Sequence, residues 1–565
     1  MPNWSGVADA LGAIVEAGGT RFAVWAPDVA QVELVLEDRT VLLAHDGEYH
    51  AAFVAGIGHG ARYNFRVDGV LLADPYALAI DRPYGVEMPR CVVTALPPPV
   101  AREAPRFAPG GLIYELNVRA FTMLHPEVSA QDRGRIAALA HPAVIAHFRA
   151  LGVSAVELMP IVAWIDERHL HALGLTNSWG YNPVTFMPID PRLGTLEELR
   201  ATVAALHAEG IGVILDLIFN HSGESDVDGQ TLSFRGLAER HYFRHAADGG
   251  LVNDTGCGNT IDCDHPMMRR MVRDALRHFV EQAGVDGFRF DLAPVLGDTL
   301  IAEMLADPVL GDRIFIAEPW DLACYRLGQF PTPFLEWNDR YRDDVRRFWR
   351  GDAGAMGAFA TRLAGSSDIF AERSRSVNFI AAHDGFTLAD LVAHEHKHNF
   401  ANGEHNHDGH DHNISWNNGI EGVTRDAQVL AARRRDVKAL LATLFVSRGA
   451  LMLTAGDECG RSQQGNNNAY CQDNEIGWFD WAGRDREIEA HVAHLAAFRA
   501  KHDLGNPTLL TDADVAWLTR DGRPFAEADW HDPACDFVEM RLGSARIRFD
   551  RQARSVTLYD EEVRA

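Results

Sequence analysis

The chain has no unbroken run of the roughly 18 apolar residues that a membrane-spanning helix needs. Its opening residues, MPNWSGVADALGAIVEAGG, hold no basic region ahead of a long apolar one. Neither an anchor nor a secretory leader is therefore expected, and a cytoplasmic location is. Cysteine is scarce: seven residues, at 91, 257, 263, 324, 459, 471 and 535, form an odd, scattered set without a CxxC pair. This excludes a disulfide framework, so reduced thiols are expected, with a Cys257–Cys263 bridge reserved for an oxidising compartment. Positive charge is also short, 53 Lys and Arg against 79 Asp and Glu, for a formal charge of -26. Nucleic acid and anionic membrane are poor partners for such a surface, whereas a neutral ligand is compatible with it. Nothing in these features sets an oligomeric state.

What the chain does have is length and pattern. Its 565 residues exceed one ordinary domain, although an α/β barrel absorbs about 250 or more. From Thr20 to Gly69 the short alternating runs RFAVWAP, VELVLED, YHAAFV and RYNFRVDG lie between turn residues, which predicts a small antiparallel β-sandwich. The Pro-rich stretch TALPPPVAREAPRFAPGG (94–111) reads as a linker. Beyond it, apolar strands alternate with amphipathic helices. Eight strand candidates follow, at 112–118, 155–161, 212–221, 287–292, 314–320, 334–337, 376–384 and 450–458. Eight such units predict an α/β fold of the (β/α)8 TIM-barrel type. A helix REIEAHVAHLAAFRAKH and a strand-rich tail predict a small C-terminal β-domain. The expected units are 1–100 for the N-terminal sandwich, 101–484 for the barrel, and 485–565 for its final helix with the C-terminal domain.

Several strands begin apolar and end polar: DLIFNH, FRFD, AEPW, AAHD and AGDE. That end of a barrel strand is where catalytic groups project. Asp291, Glu318 and Asp384 are acids at successive strand ends. Glycoside hydrolysis with retention needs two carboxyl groups about 5 Å apart, one to attack the anomeric carbon and one to protonate the leaving oxygen. A third acid suits sugar hydroxyls and the oxocarbenium-like transition state. Arg289 lies two residues before Asp291, on the same strand face, where a cation would hold that carboxylate ionised. Glu318 follows the apolar run IFIA and precedes Pro319 and Trp320, surroundings that favour a protonated acid.

These residues carry a resemblance. Asp216, Asn220 and His221 in DLIFNH, Arg289 and Asp291 in GFRFD, Glu318 in IAEPW, and His383 with Asp384 in AAHDG match, in order, four signature regions of glycoside hydrolase family 13, the α-amylase superfamily. The resemblance implies Asp291 as nucleophile, Glu318 as general acid/base and Asp384 as transition-state stabiliser. His221 and His383 would bind hydroxyls at the cleavage subsite, Asp216 and Asn220 would brace it, and Tyr181 in NSWGYNP would stack on the sugar. Trp320 is a further candidate substrate contact. Neither a cofactor nor a metal is implied. The sequence departs from many α-amylases after the nucleophile, with DLAPVLG in place of a Lys-His pair. TLSFRG, TGCGNTIDCDHP, EWNDRYRDD, HDGFTLADLV, SWNNGIEG and GDECGRSQQGNNNAYCQDN resemble glycogen debranching enzymes and isoamylases instead. FAVWAP and ADPYA resemble the family 48 carbohydrate-binding module that precedes such barrels.

The resemblance thus implies hydrolysis of α-1,6 branch linkages in a branched α-glucan, glycogen or limit dextrin. The alternatives are a malto-oligosyltrehalose trehalohydrolase, a branching-type member, or a catalytically silent glucan-binding isoamylase relative. Seven histidines between His394 and His412 match no single ligand pattern, so a frame for the substrate cleft is the preferred reading over zinc. Trp337 reads equally as platform or core, Asp457 and Glu458 as structural acids or substrate contacts, and ARRRD (432–436) as a solvated helix face.

Overall fold

The computed structural model describes residues 10–81 and 88–560. The expected leaderless start at residue 1, and the expected end of the last unit at residue 565, fall on residues outside that range. The N-terminal unit is two antiparallel sheets. One runs Gly12–Glu16, Gly19–Trp25, Tyr49–Ala55 and Ala44–Asp46; the other is built around Glu33–Leu36 and Arg62–Val67 and continues through Arg90–Val92 to an edge at Ile80–Asp81. Alternate side chains of each sheet meet between them: Phe22 from the first lies edge-on to Tyr63 of the second, ring centres 5.0 Å apart. The sandwich thus extends beyond the Gly69 limit of the sequence pattern.

Residues 94–111 form no helix or strand, yet they are not a free tether. Val100 N–H donates to the Glu281 carbonyl at 2.8 Å, Arg106 N–H donates to Asp286 at 2.7 Å, and Phe107 is buried. Its ring belongs to the apolar cluster inside the barrel that also holds Ile113, Ala155 and Ile214. The linker therefore stoppers the N-terminal mouth of the barrel.

Eight parallel strands close into that barrel: β1 (Leu112–Leu116), β2 (Val153–Leu158), β3 (Gly212–Leu217), β4 (Gly287–Phe290), β5 (Ile314–Ala317), β6 (Leu335–Trp337), β7 (Ser376–Asn378) and β8 (Ala450–Thr454), with β8 paired to β1. All eight predicted strands form. Most stop short of their predicted polar ends, because those residues turn inward over the mouth instead of continuing the ladder. Period-two alternation sorts the side chains. Phe288 and Phe290 point out, Phe290 packing on Phe315 and Phe334. The inward residues are apolar near the strand starts, with Ile113, Ala155, Ile214, Ile316 and Leu335. Two residues further along β1, β2 and β3 they become Glu115, Glu157 and Asp216. This switch along each strand makes one end of the barrel a packed core and the other a polar basin.

Helices such as Leu196–Ala208, opened by a Thr195/Glu198 capping box, and Pro266–Ala283, with Pro at its first turn and left-handed Gly284 at its end, cover the outside. After helix Arg486–Lys501, a four-stranded antiparallel sheet (Val515–Leu518, Phe537–Leu542, Ala545–Asp550, Ser555–Asp560) forms the expected C-terminal β-structure. Among the described residues no helix is long and apolar enough to cross a membrane. The sandwich docks on the barrel through Trp25, edge-on to Tyr242 at 5.4 Å, and through Ala73 N–H, which donates to the Leu232 carbonyl at 2.7 Å.

Candidate active site

The polar basin opens into a cleft of about 1260 Å³ whose lining includes Tyr181, His221, Asp291, Leu292, Glu318, His383 and Asp384. Arg289 organises it from below. Its guanidinium is fully buried. Nη1 donates to both oxygens of Asp216 (3.0 and 3.1 Å) and to Asp291 Oδ1 at 3.0 Å, while Nη2 lies 3.3 Å from Glu318 Oε2. The underside of the guanidinium rests on the Trp337 ring, 4.3 Å from its centre. Trp337 is thus a buried core residue, the second of the two readings its sequence allowed. A buried cation is stable only when paired, and the acids of three neighbouring strand ends pair this one.

Asp291 is held from two sides. Besides Arg289, the Asn220 amide donates to its Oδ2 and to its backbone carbonyl, each at 2.8 Å. One carboxylate oxygen is thereby tied on each side, which fixes the plane of the group. Leu292, the next residue, has a φ of 42°, a left-handed conformation that a branched side chain adopts at a cost of about 1–3 kcal/mol. The twist turns Leu292 N–H onto Glu318 Oε2 at 2.8 Å. Burial pushes the Glu318 carboxyl up to about 8; Arg289 opposes that shift and Asp291 adds to it.

Asp384 differs. Burial among the cleft walls raises its pKa, but His410, His383 and Arg342 outweigh it and hold the carboxyl far below the usual range. His410 Nε2 lies 3.7 Å from Asp384 Oδ2. Since 40% of the Asp384 side chain is open to solvent, screening reduces that depression. His383 stacks on Tyr181, ring centres 4.9 Å apart, and pairs through Nδ1 with Glu115 at 2.7 Å. Burial disfavours its charged form, yet Glu115 and Asp384 raise its pKa to about 9. Tyr181 donates its hydroxyl proton to Asp216, and its carbonyl is 2.9 Å from His221 Nε2. Burial pushes Asp216 up to about 6 against the pull of Arg289.

Nine of the ten residues singled out in the sequence converge here. Trp320 is the exception. It is half-buried against the barrel interior and lies outside the cleft lining. Asp457 and Glu458 turn out structural: Asp457 accepts from Leu388 N–H, and Glu458 accepts from Tyr114, from Gly456 N–H and, at 2.9 Å, meets His147. Sequence reasoning missed Glu115, Glu157 and His410. Glu115 and Glu157 carried the same signal that exposed Arg289, a charge inside an apolar strand. His410 was hidden among the seven histidines. Among the described residues no group of three or more His, Cys, Asp or Glu is placed to hold a metal ion. Cys257 is exposed at the cleft, Cys263 is buried, and both are free thiols.

The chain resembles known proteins over most of its length. Residues 144–250 match the family described as "Alpha amylase, catalytic domain", and residues 10–77 match "Carbohydrate-binding module 48 (Isoamylase N-terminal domain)". A protein of Serratia proteamaculans (strain 568) named glycogen debranching enzyme is 42% identical, the alignment covering 93% of this chain and 89% of that protein. One of the same name from Pectobacterium atrosepticum is 43% identical over 92% of this chain and 88% of its own. The chain belongs to the glycogen debranching enzyme family. Solved structures agree on the fold. A pullulanase from Anoxybacillus sp. LM18-11, solved with maltotetraose, superposes with a TM-score of 0.76 over 96% of this chain and 82% of its own at 24% identity. A pullulanase from Paenibacillus barengoltzii, solved with maltohexaose and α-cyclodextrin, gives 0.75 at 22% identity, covering 96% of this chain and 88% of its own.

Proposed function

We infer that this protein is a glycoside hydrolase that removes α-1,6-linked branches from glycogen or its limit dextrin by double displacement with retention. The observation that carries the mechanism is Arg289 joining Asp291 and Glu318 through the two nitrogens of one guanidinium. Such sharing favours the short carboxyl separation of about 5 Å that retention uses over the roughly 6.5–9.5 Å of inversion. Asp291, fixed in plane by Arg289 and Asn220, attacks the anomeric carbon. Glu318, kept neutral, gives its proton to the departing oxygen, then takes one from the water that opens the glycosyl-enzyme ester. Asp384, held ionised beside His410, faces the positive charge that develops on the sugar ring. Tyr181 and His383, stacked together, present a flat wall to that sugar, and His221 lies beside them. Asp216 contributes from below, as a counter-charge to Arg289.

The family membership supports the choice of bond, and the LAPVLG exit of β4 supports it from within the chain. Ala293–Leu296 coil into a 3-10 turn that leads straight into helix Gly297–Ala306, so the first residues after the nucleophile present Leu292 and no Lys-His pair to the cleft. A silent glucan-binding relative is disfavoured because the acid set is complete and braced. Incubation with phosphorylase-limit dextrin and with linear amylose tests the reading. Short linear chains from the dextrin alone are expected, and attack on amylose would sink it.

A further inference from the structure

Beneath the catalytic residues lies a carboxyl group that the reaction as written leaves idle. Glu157 projects inward from β2, is fully buried, and neither of its side-chain oxygens meets a hydrogen-bond partner. Cα register pairs it with Glu115 on β1 and with Ile214 on β3, two residues before Asp216. It therefore sits one inward layer below the Asp216–Arg289 pair. The groups that face it are Glu115 from β1, Asp216 from β3, Arg289 from β4 and His383 from the exit of β7.

Other polar atoms in this interior also lack direct partners. Arg289 uses Nη1 for Asp216 and Asp291 and turns Nη2 towards Glu318 at 3.3 Å, whereas its Nε has no hydrogen-bond partner, and the Trp337 indole N–H beneath it has none. Buried polar groups in native proteins are satisfied by protein or by ordered water almost without exception. One fully buried carboxyl with two free oxygens, a layer below a guanidinium whose Nε N–H is free, matches acceptors to a donor. An ionised Glu157 would face two like-charged carboxylates without a hydrogen bond of its own, so burial and those neighbours favour the neutral acid. A neutral acid offers one O–H donor and a carbonyl acceptor.

We propose that Glu157 is a positioning residue for the reaction: a neutral acid that, through ordered water, holds the rear edge of the Arg289 guanidinium and so aims its front edge at Asp291 and Glu318. It touches no substrate. This rests on the reaction assigned above. An ionised residue here would draw the guanidinium inward and away from the nucleophile. An apolar one would leave the rear edge unsupported.

Glu157→Leu and Glu157→Gln separate this role from packing. Gln keeps a neutral donor and acceptor, and its kcat on limit dextrin should stay within about twofold of wild type. Leu removes both, and misplacement of the pair should lower kcat about ten- to hundredfold with KM little changed. Thermal denaturation of the Leu protein checks that the fall in kcat is not loss of fold. Full kcat in Glu157→Leu overturns the proposal. Should that variant not fold, Glu157→Asp carries the test: withdrawing the acid by one methylene should lower kcat in the same way, and an unchanged kcat is again fatal. Wild-type protein that releases nothing from limit dextrin indicts the assigned function instead. Wild-type release together with a fully active Leu or Asp variant indicts this inference alone.

Discussion

As the proposed general acid, Glu318 has to carry a proton at the pH where it donates one, and its buried place behind Leu292 supplies that condition. Its pKa, raised to about 8, sets the direction of the pH dependence. The acid is present below that value and lost above it, so kcat/KM on limit dextrin should fall as pH rises through about 8. A profile flat to pH 10 would refute the assignment of the acid. Glu318→Gln should cost about 10²–10⁴-fold in kcat. The same shift is a stability statement. A carboxyl whose folded pKa lies above its unfolded one contributes fully below the unfolded value of 4.5, and that contribution drains away as pH climbs towards 8. Glu318→Gln should therefore melt above wild type at pH 8 and no higher at pH 4, measured by thermal denaturation. His410 acts across 3.7 Å with 64% of its side chain exposed. Exposed pairs contribute about 0.2–1 kcal/mol, so His410→Gln should lower kcat only about two- to fivefold.

At the scale of elements, the exit of β8 shows how a charged strand end becomes a joint. Glu458 is fully buried and binds Tyr114 of β1, its own turn at Gly456, and His147 on helix Pro142–Leu151. His147 also lies 3.4 Å from Glu489 on helix Arg486–Lys501. Two helices and two strands thus share one acid. Glu458→Leu strands these partners and should cost about 3–5 kcal/mol, read from denaturant unfolding. Burial alone would lower the His147 pKa, but Glu458 and Glu489 raise it above 6.5. The gain from the pair is complete below pH 6.5 and fades as pH rises through the folded value, so the wild-type advantage over the variant should shrink at alkaline pH. The eight strands themselves were legible because each is a short apolar run with a polar end. Glu115 and Glu157 escaped notice because they sat in the middle of runs read as core. The loops were illegible for a different reason. Asn399 to Asn467, and His410 to Asp384, join residues far apart in sequence, and no local period encodes such pairs.

On the scale of the whole molecule, the sandwich and the cleft meet in the long segment after β3. That segment is pinned internally by buried Glu224, which accepts from Leu232 and Ser233 N–H, and by Asn259, which binds the Ser222 and Ser225 carbonyls. Its near end supplies the Thr255–Gly258 wall of the cleft. Its flank takes Trp25 of the sandwich against His241, Tyr242 and His265. Ser233 also donates its hydroxyl to the Ala73 carbonyl at 2.8 Å. The module therefore buttresses one wall of the site as well as adding surface to the enzyme. Trp25 is almost fully buried, and Trp25→Ala should cost about 3–5 kcal/mol. If the buttress matters to catalysis, loosening it should raise KM for limit dextrin several-fold while kcat, assigned in our proposal to the braced acids of β4 and β5, changes little. A lower melting temperature with unchanged KM would mean that Glu224 and Asn259 hold the wall by themselves.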